Sequence, residues 1–151
     1  MRIGFVGLGI MGEPMVGHLA AAGNELAVFD VNAEAVGRVV VNYPEVTVAE
    51  SPADLERRSE VVITMLPDGN VVGEVATGRL GLIAGMQPGT LLLDTSSAQP
   101  WLTKQTAAAL AEREIGVVDA PVSGAQWGAA DGCRDRLKRS TCVLSQVEIH
   151  E

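Results

Sequence analysis

Short continuous apolar runs recur along the chain at residues 3–6, 26–29, 61–66, 91–93 and 117–118, with stretches of helical spacing between them. Apolar runs of this length, without alternation, suit strands covered on both faces, as in a parallel sheet. Met11, Met15, Leu19 and Ala22 fall on one helical face, and Gly23 closes that pattern. Ser51 followed by Pro52 is a helix start, because the hydroxyl accepts a free amide and the proline has none to lose. Residues 100–114 predict a longer helix, stopped by Gly116. Strand alternating with helix predicts an α/β fold, a doubly wound and mostly parallel sheet with helices on both faces. No internal repeat interrupts this reading.

Ligands of such sheets bind at the carboxyl ends of the strands. The polar and turn segments of this chain fall at those ends: residues 7–12, Asp30, Pro67 with Asp68, residues 94–97 and residues 119–124. The first of them is the most specific. Gly7, Gly9 and Gly12 form GxGxxG directly after the first apolar run, with Leu8, Ile10 and Met11 filling the turn. Gly7 permits a tight turn, Gly9 leaves room for a pyrophosphate, and Gly12 allows close packing of helix on strand. The amides opening the next helix have no intrahelical acceptor and sit at its positive end, so the turn attracts phosphate. Pro14 falls in the first helical turn, where a missing amide costs little.

A carboxylate closing the second strand completes the pattern. Asp30 lies 18 positions after Gly12, where an acidic side chain bonds the adenosine ribose hydroxyls of a dinucleotide. Val31 and Asn32 follow it, and no cationic side chain appears before Arg38. That favours NAD over NADP, since the 2′-phosphate would meet Asp30 with nothing to offset it. The fold expected is therefore of the Rossmann type.

Composition narrows the class further. The 151 residues carry a net charge of −8, which gives no support to nucleic-acid or anionic-membrane binding. No stretch approaches the ~20 continuous apolar residues of a membrane span, so a cytoplasmic location is the expectation. Cys133 and Cys142 have no histidine pair at metal-ligand spacing, and no metal site is expected. The last 19 residues carry four basic and three acidic side chains and lose the glycine and aliphatic rhythm before them. A boundary near Gly132 divides residues 1–132, the dinucleotide-binding domain, from a divergent tail at 133–151.

At this level of detail the chain resembles the NAD-binding domain of the beta-hydroxyacid dehydrogenases, which include 3-hydroxyisobutyrate dehydrogenase and tartronate semialdehyde reductase. The resemblance rests on GFVGLGIMGEPM at 4–15, MLP at 65–67, DTSS at 94–97 and DAPVSGAQWGA at 119–129. It implies that Leu66 and Pro67 line the nicotinamide half of the cofactor. It also implies that a hydroxyl of DTSS reaches the cofactor ribose or the substrate, Ser96 first and Ser97 next; the alternative is that one of them caps the helix near Pro100. Ser123 and Gly124 resemble the family's substrate loop, in which a hydroxyl and bare amides hold a carboxylate. Ala125 stands where the family often has a second glycine. His18 reads as a packed or surface residue, and Trp101 and Trp127 as packing residues.

The resemblance also exposes a gap. The family's chemistry uses a lysine within a Lys-x-x-x-Asn pattern on a second, helical domain. This chain has only Lys104 and Lys138, and no asparagine after Asn70. No catalytic residue is therefore assigned, and the helical catalytic domain is read as absent. The expected function is the NAD-binding half of an oxidoreductase acting on a short 3-hydroxy acid, with homo-oligomer formation open. The alternatives are a non-catalytic NAD-binding module, or a relative of 6-phosphogluconate dehydrogenase or imine reductase.

Overall fold

A computed structural model describes residues 1–56, 59–122, 129–130 and 148–150. Seven strands form one sheet in the order β3-β2-β1-β4-β5-β6-β7. They are β1 (Arg2–Val6), β2 (Glu25–Phe29), β3 (Thr47–Val48), β4 (Val61–Thr64), β5 (Leu91–Asp94), β6 (Gly116–Asp119) and β7 (Glu148–His150). The first six run parallel, and β7 pairs antiparallel with β6 at the edge. The order 3-2-1-4-5-6 is that of the Rossmann fold, and it places the switch point between β1 and β4. Among the described residues, five α-helices lie between the first six strands: α1 (Gly12–Ala21), α2 (Ala33–Asn42), α3 (Pro52–Glu56), α4 (Gly69–Thr77) and α5 (Pro100–Ala111).

The continuous apolar runs arise because successive side chains point into two different cores. Ile3 and Phe5 of β1, with Leu26, Val28 and Ile63, pack against Val16 of α1 and Val39 of α2. Val6, Ala27, Val62, Leu92 and Val117 face the other way, against Leu55 of α3, Ala76 of α4 and Leu110 of α5. A strand buried on both faces has no polar side to alternate with.

Several local expectations shift. The α1 face turns by about one residue: Gly12 and Val16 are its buried positions, whereas Ala22 is exposed. Gly12 sets this orientation, because a Cβ there would run into the Gly7 carbonyl. The third apolar run leaves the sheet after Thr64, so Leu66 belongs to a loop. Helix α5 ends at Ala111 rather than near residue 114. Glu114 takes a left-handed conformation (φ 57°), which turns Ile115 into the core, and Gly116 already opens β6. Trp101 is not a packing residue: it is 67% exposed, because the buried face of α5 runs through Thr103, Thr106, Ala107 and Leu110. The two-residue edge strand β3 carried no apolar run to announce it. Ser51 does start α3, its hydroxyl accepting the Asp54 N–H at 3.1 Å.

Candidate dinucleotide site

The GxGxxG turn joins the end of β1 to α1, and its three glycines meet different surroundings. Gly7 has φ 100°, and a Cβ on it would strike the carbonyl of Met65 in the neighbouring β4 loop. Gly12 abuts the Gly7 carbonyl and Phe5. Gly9 is exposed, and a Cβ there would meet nothing within 4 Å. Two glycines are thus demanded by the chain's own packing, while the third faces open space at the carboxyl edge of the sheet. The N-cap of α1, Met11, gives no side-chain capping bond, so the free amides of the first turn remain available to an anion.

Asp30 fixes the other wall. Its Oδ2 accepts the Leu8 N–H at 2.6 Å and its Oδ1 accepts the Asn32 N–H at 2.7 Å. The carboxylate thereby staples the glycine turn to the end of β2, and each oxygen keeps a lone pair for a further donor. Leu8 is fully buried, whereas Ile10 (74%) and Val31 (93%) stand exposed on the two sides of this junction. Arg38 lies on α2 with its Nε 3.1 Å from Glu13 Oε2, so the nearest cation after Asp30 is held by an acidic partner on α1. Asn42 donates to the same carboxylate at 3.2 Å.

The second half of the edge is built by β4 and β5. Asp94, 1% exposed, accepts on Oδ1 from the Thr64 hydroxyl at 2.8 Å and from the Ser96 N–H at 3.0 Å. Ser96 Oγ in turn accepts the Leu66 N–H at 2.9 Å. The Thr95 hydroxyl donates to the Thr64 carbonyl at 2.6 Å. Among the described residues Asp94 Oδ2 has no partner. This buried network holds the Leu66 loop, whose Pro67 is exposed at the edge. Asp68 is occupied in capping α4, accepting from Asn70 and Val71.

Two expectations for the serines change. Ser96 is fully buried and does not present its hydroxyl to the open edge, because Leu66 has claimed it; Ser97 is the exposed serine. Neither caps α5, whose N-cap is Gln99. Ser123 and Gly124 lie outside the described residues, as do Ala125, Trp127, Lys138 and both cysteines. Asp94 and Thr64 were missed as site-building residues. The available signal was a hydroxyl inside one apolar run and a carboxylate closing the next. His18 is exposed, and its Nε2 lies 2.9 Å from the Ala129 carbonyl and 3.1 Å from that of Ala130. Among the described residues no cluster of acidic, histidine or cysteine side chains could hold a metal, and no helix is long and apolar enough to cross a membrane.

A Rossmann sheet whose glycine turn leaves an open cradle, beside a carboxylate that follows β2, defines a dinucleotide-binding domain. The chain belongs to the family described as the NAD binding domain of 6-phosphogluconate dehydrogenase, matched over residues 2–134. It is 35% identical over 150 residues to 3-sulfolactaldehyde reductase of Escherichia coli, covering 94% of this chain and 50% of that protein. It is 40% identical over 131 residues to NAD-dependent L-serine dehydrogenase of Pseudomonas aeruginosa, covering 87% and 43%. Among solved structures, Mycobacterium tuberculosis 3-hydroxyisobutyrate dehydrogenase with L-serine superposes with a TM-score of 0.80 at 35% identity, over 86% of this chain and 43% of that one. The resemblance to the beta-hydroxyacid dehydrogenases thus holds within the wider family. The chain spans about half the length of the curated relatives it matches.

Proposed function

We propose that this domain holds NAD for hydride transfer to or from a short 3-hydroxy acid of the 3-hydroxyisobutyrate type. The observation that carries the reading is the difference between the glycines of the turn: packing demands Gly7 and Gly12, whereas nothing in the chain demands Gly9, whose bareness is what a pyrophosphate at the turn would need. In this reading the turn amides and the N-terminus of α1 hold the pyrophosphate, and Asp30 holds the adenosine ribose. Ile10, Met11 and Val31 border that half. Leu66 and Pro67 line the nicotinamide half, with Ser97 offering the exposed hydroxyl beside them. Ser123 and Gly124 receive the substrate carboxylate. NAD, when bound, supplies the hydride acceptor and NADH the donor. The functional unit is residues 1–132, with 133–151 as an appended tail.

Neither lysine matches the family's proton-transfer position. Lys104 is exposed on α5, and Lys138 falls in the divergent tail. The chain alone is therefore expected to bind NAD without appreciable turnover, since positioned acid–base groups contribute 10²–10⁴-fold and orientation adds to this. Calorimetric titration with NAD and NADP, followed by NADH formation with 3-hydroxyisobutyrate, tests both parts. Asp30 and a 2′-phosphate ~4 Å apart would repel by roughly 4 kcal/mol at an effective dielectric of 20, so NADP should bind at least tenfold more weakly. Equal NADP affinity would reject the assignment of Asp30. Turnover at ~1–10³ s⁻¹ would give proton transfer to a residue of this chain. A non-catalytic NAD-binding module is the second reading, favoured by the same two unmatched lysines. An active assembly of this chain with a separate helical partner would exclude it.

A further inference from the structure

We propose that His18 is a positioning residue that anchors the chain leaving β6 to the cofactor helix α1. Its Nε2 reaches two successive carbonyls, Ala129 at 2.9 Å and Ala130 at 3.1 Å. Two acceptors around one ring nitrogen require that nitrogen to carry the proton, so the imidazole donates there. The side chain is exposed; core packing does not explain its place, and the carbonyls do.

Helix α1 is a firm support for such an anchor. Glu13 ties it to Arg38 and Asn42 of α2, at 3.1 and 3.2 Å. Gly17 lies so close to the Tyr43 hydroxyl that a side chain there would displace the Tyr43 ring. The near end of the connection is fixed as well, because the Ala120 N–H donates to the Asp94 carbonyl at 2.8 Å. His18 thus ties Ala129 and Ala130 to α1, while Ala120 is held by the sheet. The anchor therefore couples the helix that opens over the glycine turn to a point in the chain a few positions after Ser123 and Gly124, the residues assigned above to the substrate carboxylate. The consequence for substrate rests on the function proposed above; the anchor itself does not.

Amide hydrogen exchange across residues 120–130 of the full chain tests the anchor in wild type, His18→Ala and His18→Gln. The net worth of one hydrogen bond corresponds to about two- to tenfold in an opening equilibrium, so exchange in His18→Ala should be faster by that factor. His18→Gln carries an amide donor of similar reach and should restore most of the protection, while peptides of β1 and β2 stay unchanged in both. Equal exchange in wild type and His18→Ala overturns the proposal, as does a glutamine that behaves like alanine. Added NAD with 3-hydroxyisobutyrate should slow exchange of this segment in wild type more than in His18→Ala. If His18→Ala is faster but these ligands slow nothing in wild type, the anchor stands and the substrate reading fails.

Discussion

The three glycines of one motif respond differently to the same question, what a methyl group would touch. At Gly12 it meets the Gly7 carbonyl and the Phe5 ring, whereas at Gly9 it meets nothing. Gly12→Ala should therefore destabilise the fold, by about 1–3 kcal/mol or more for an overpacked site. Gly9→Val should melt within about 0.5 kcal/mol of wild type, as a surface change does, yet lose NAD binding. Thermal unfolding and calorimetry on the two variants separate the cases. A Gly9→Val protein with unchanged NAD affinity would show that the turn serves another purpose. The motif spacing made both residues legible in the sequence, but not their division of labour. That division depends on which atoms stand opposite, and those come from β1 and the turn itself folded back on the helix.

Between elements, two polar links join strands that are far apart in sequence. The first is Ser96, whose hydroxyl takes the Leu66 N–H and so ties the loops after β4 and β5. Ser96→Ala leaves that amide without its acceptor, at a cost of about 1–3 kcal/mol. For a chain of this size the melting temperature should fall by several degrees, and NAD affinity should fall with it as the Leu66 loop loosens. Ser96→Thr keeps the oxygen and should recover much of the affinity. A variant with wild-type melting and binding would exclude the link. The second is Glu60, which accepts the Arg2 backbone N–H at 3.1 Å and faces the Arg2 guanidinium at 3.5 Å, joining the starts of β4 and β1. The backbone hydrogen bond chiefly lowers its pKa from 4.5, and the Arg2 charge adds to this. A lowered carboxylate pKa stabilises the fold above the unfolded-state value, and that contribution is lost as pH falls through the folded value. Wild type should therefore melt slightly above Glu60→Gln at pH 6–7, with the gap closing below about pH 4.5. Melting curves across that window check the sign; a gap that widens in acid would contradict it.

At the scale of the whole molecule, the open edge runs along the ends of four neighbouring strands, β2, β1, β4 and β5, so one dinucleotide would span all of them. Binding to the folded state alone stabilises by mass action, about 2.7 kcal/mol at a hundred times the dissociation constant. That corresponds to a rise of roughly 5–10 °C in the melting temperature. A thermal shift series in NAD measures it, with the Gly9→Val chain as the control that should not move. An unchanged midpoint for wild type over the full NAD range would exclude binding at this edge.

The sequence alone determined the α/β class, the positions of five of the seven described strands and the dinucleotide turn. Each is written in local pattern: apolar runs for strands buried on two faces, glycines at fixed spacing, and a carboxylate ending the second run. It could not rank Ser96 against Ser97, since both are hydroxyls on one short loop and only the Leu66 amide, thirty positions away, turns Ser96 inward. Nor could it recognise Asp94 and Thr64 as a buried pair across β4 and β5, or find a use for His18 before Ala129 and Ala130 were brought to α1. Trp101 was misplaced for a related reason: being large and apolar favours burial, but its angular position on α5 decided its exposure. Periodicity is a property of neighbours along the chain, whereas hydrogen-bond partners and buried faces are chosen by which strands the sheet order sets side by side.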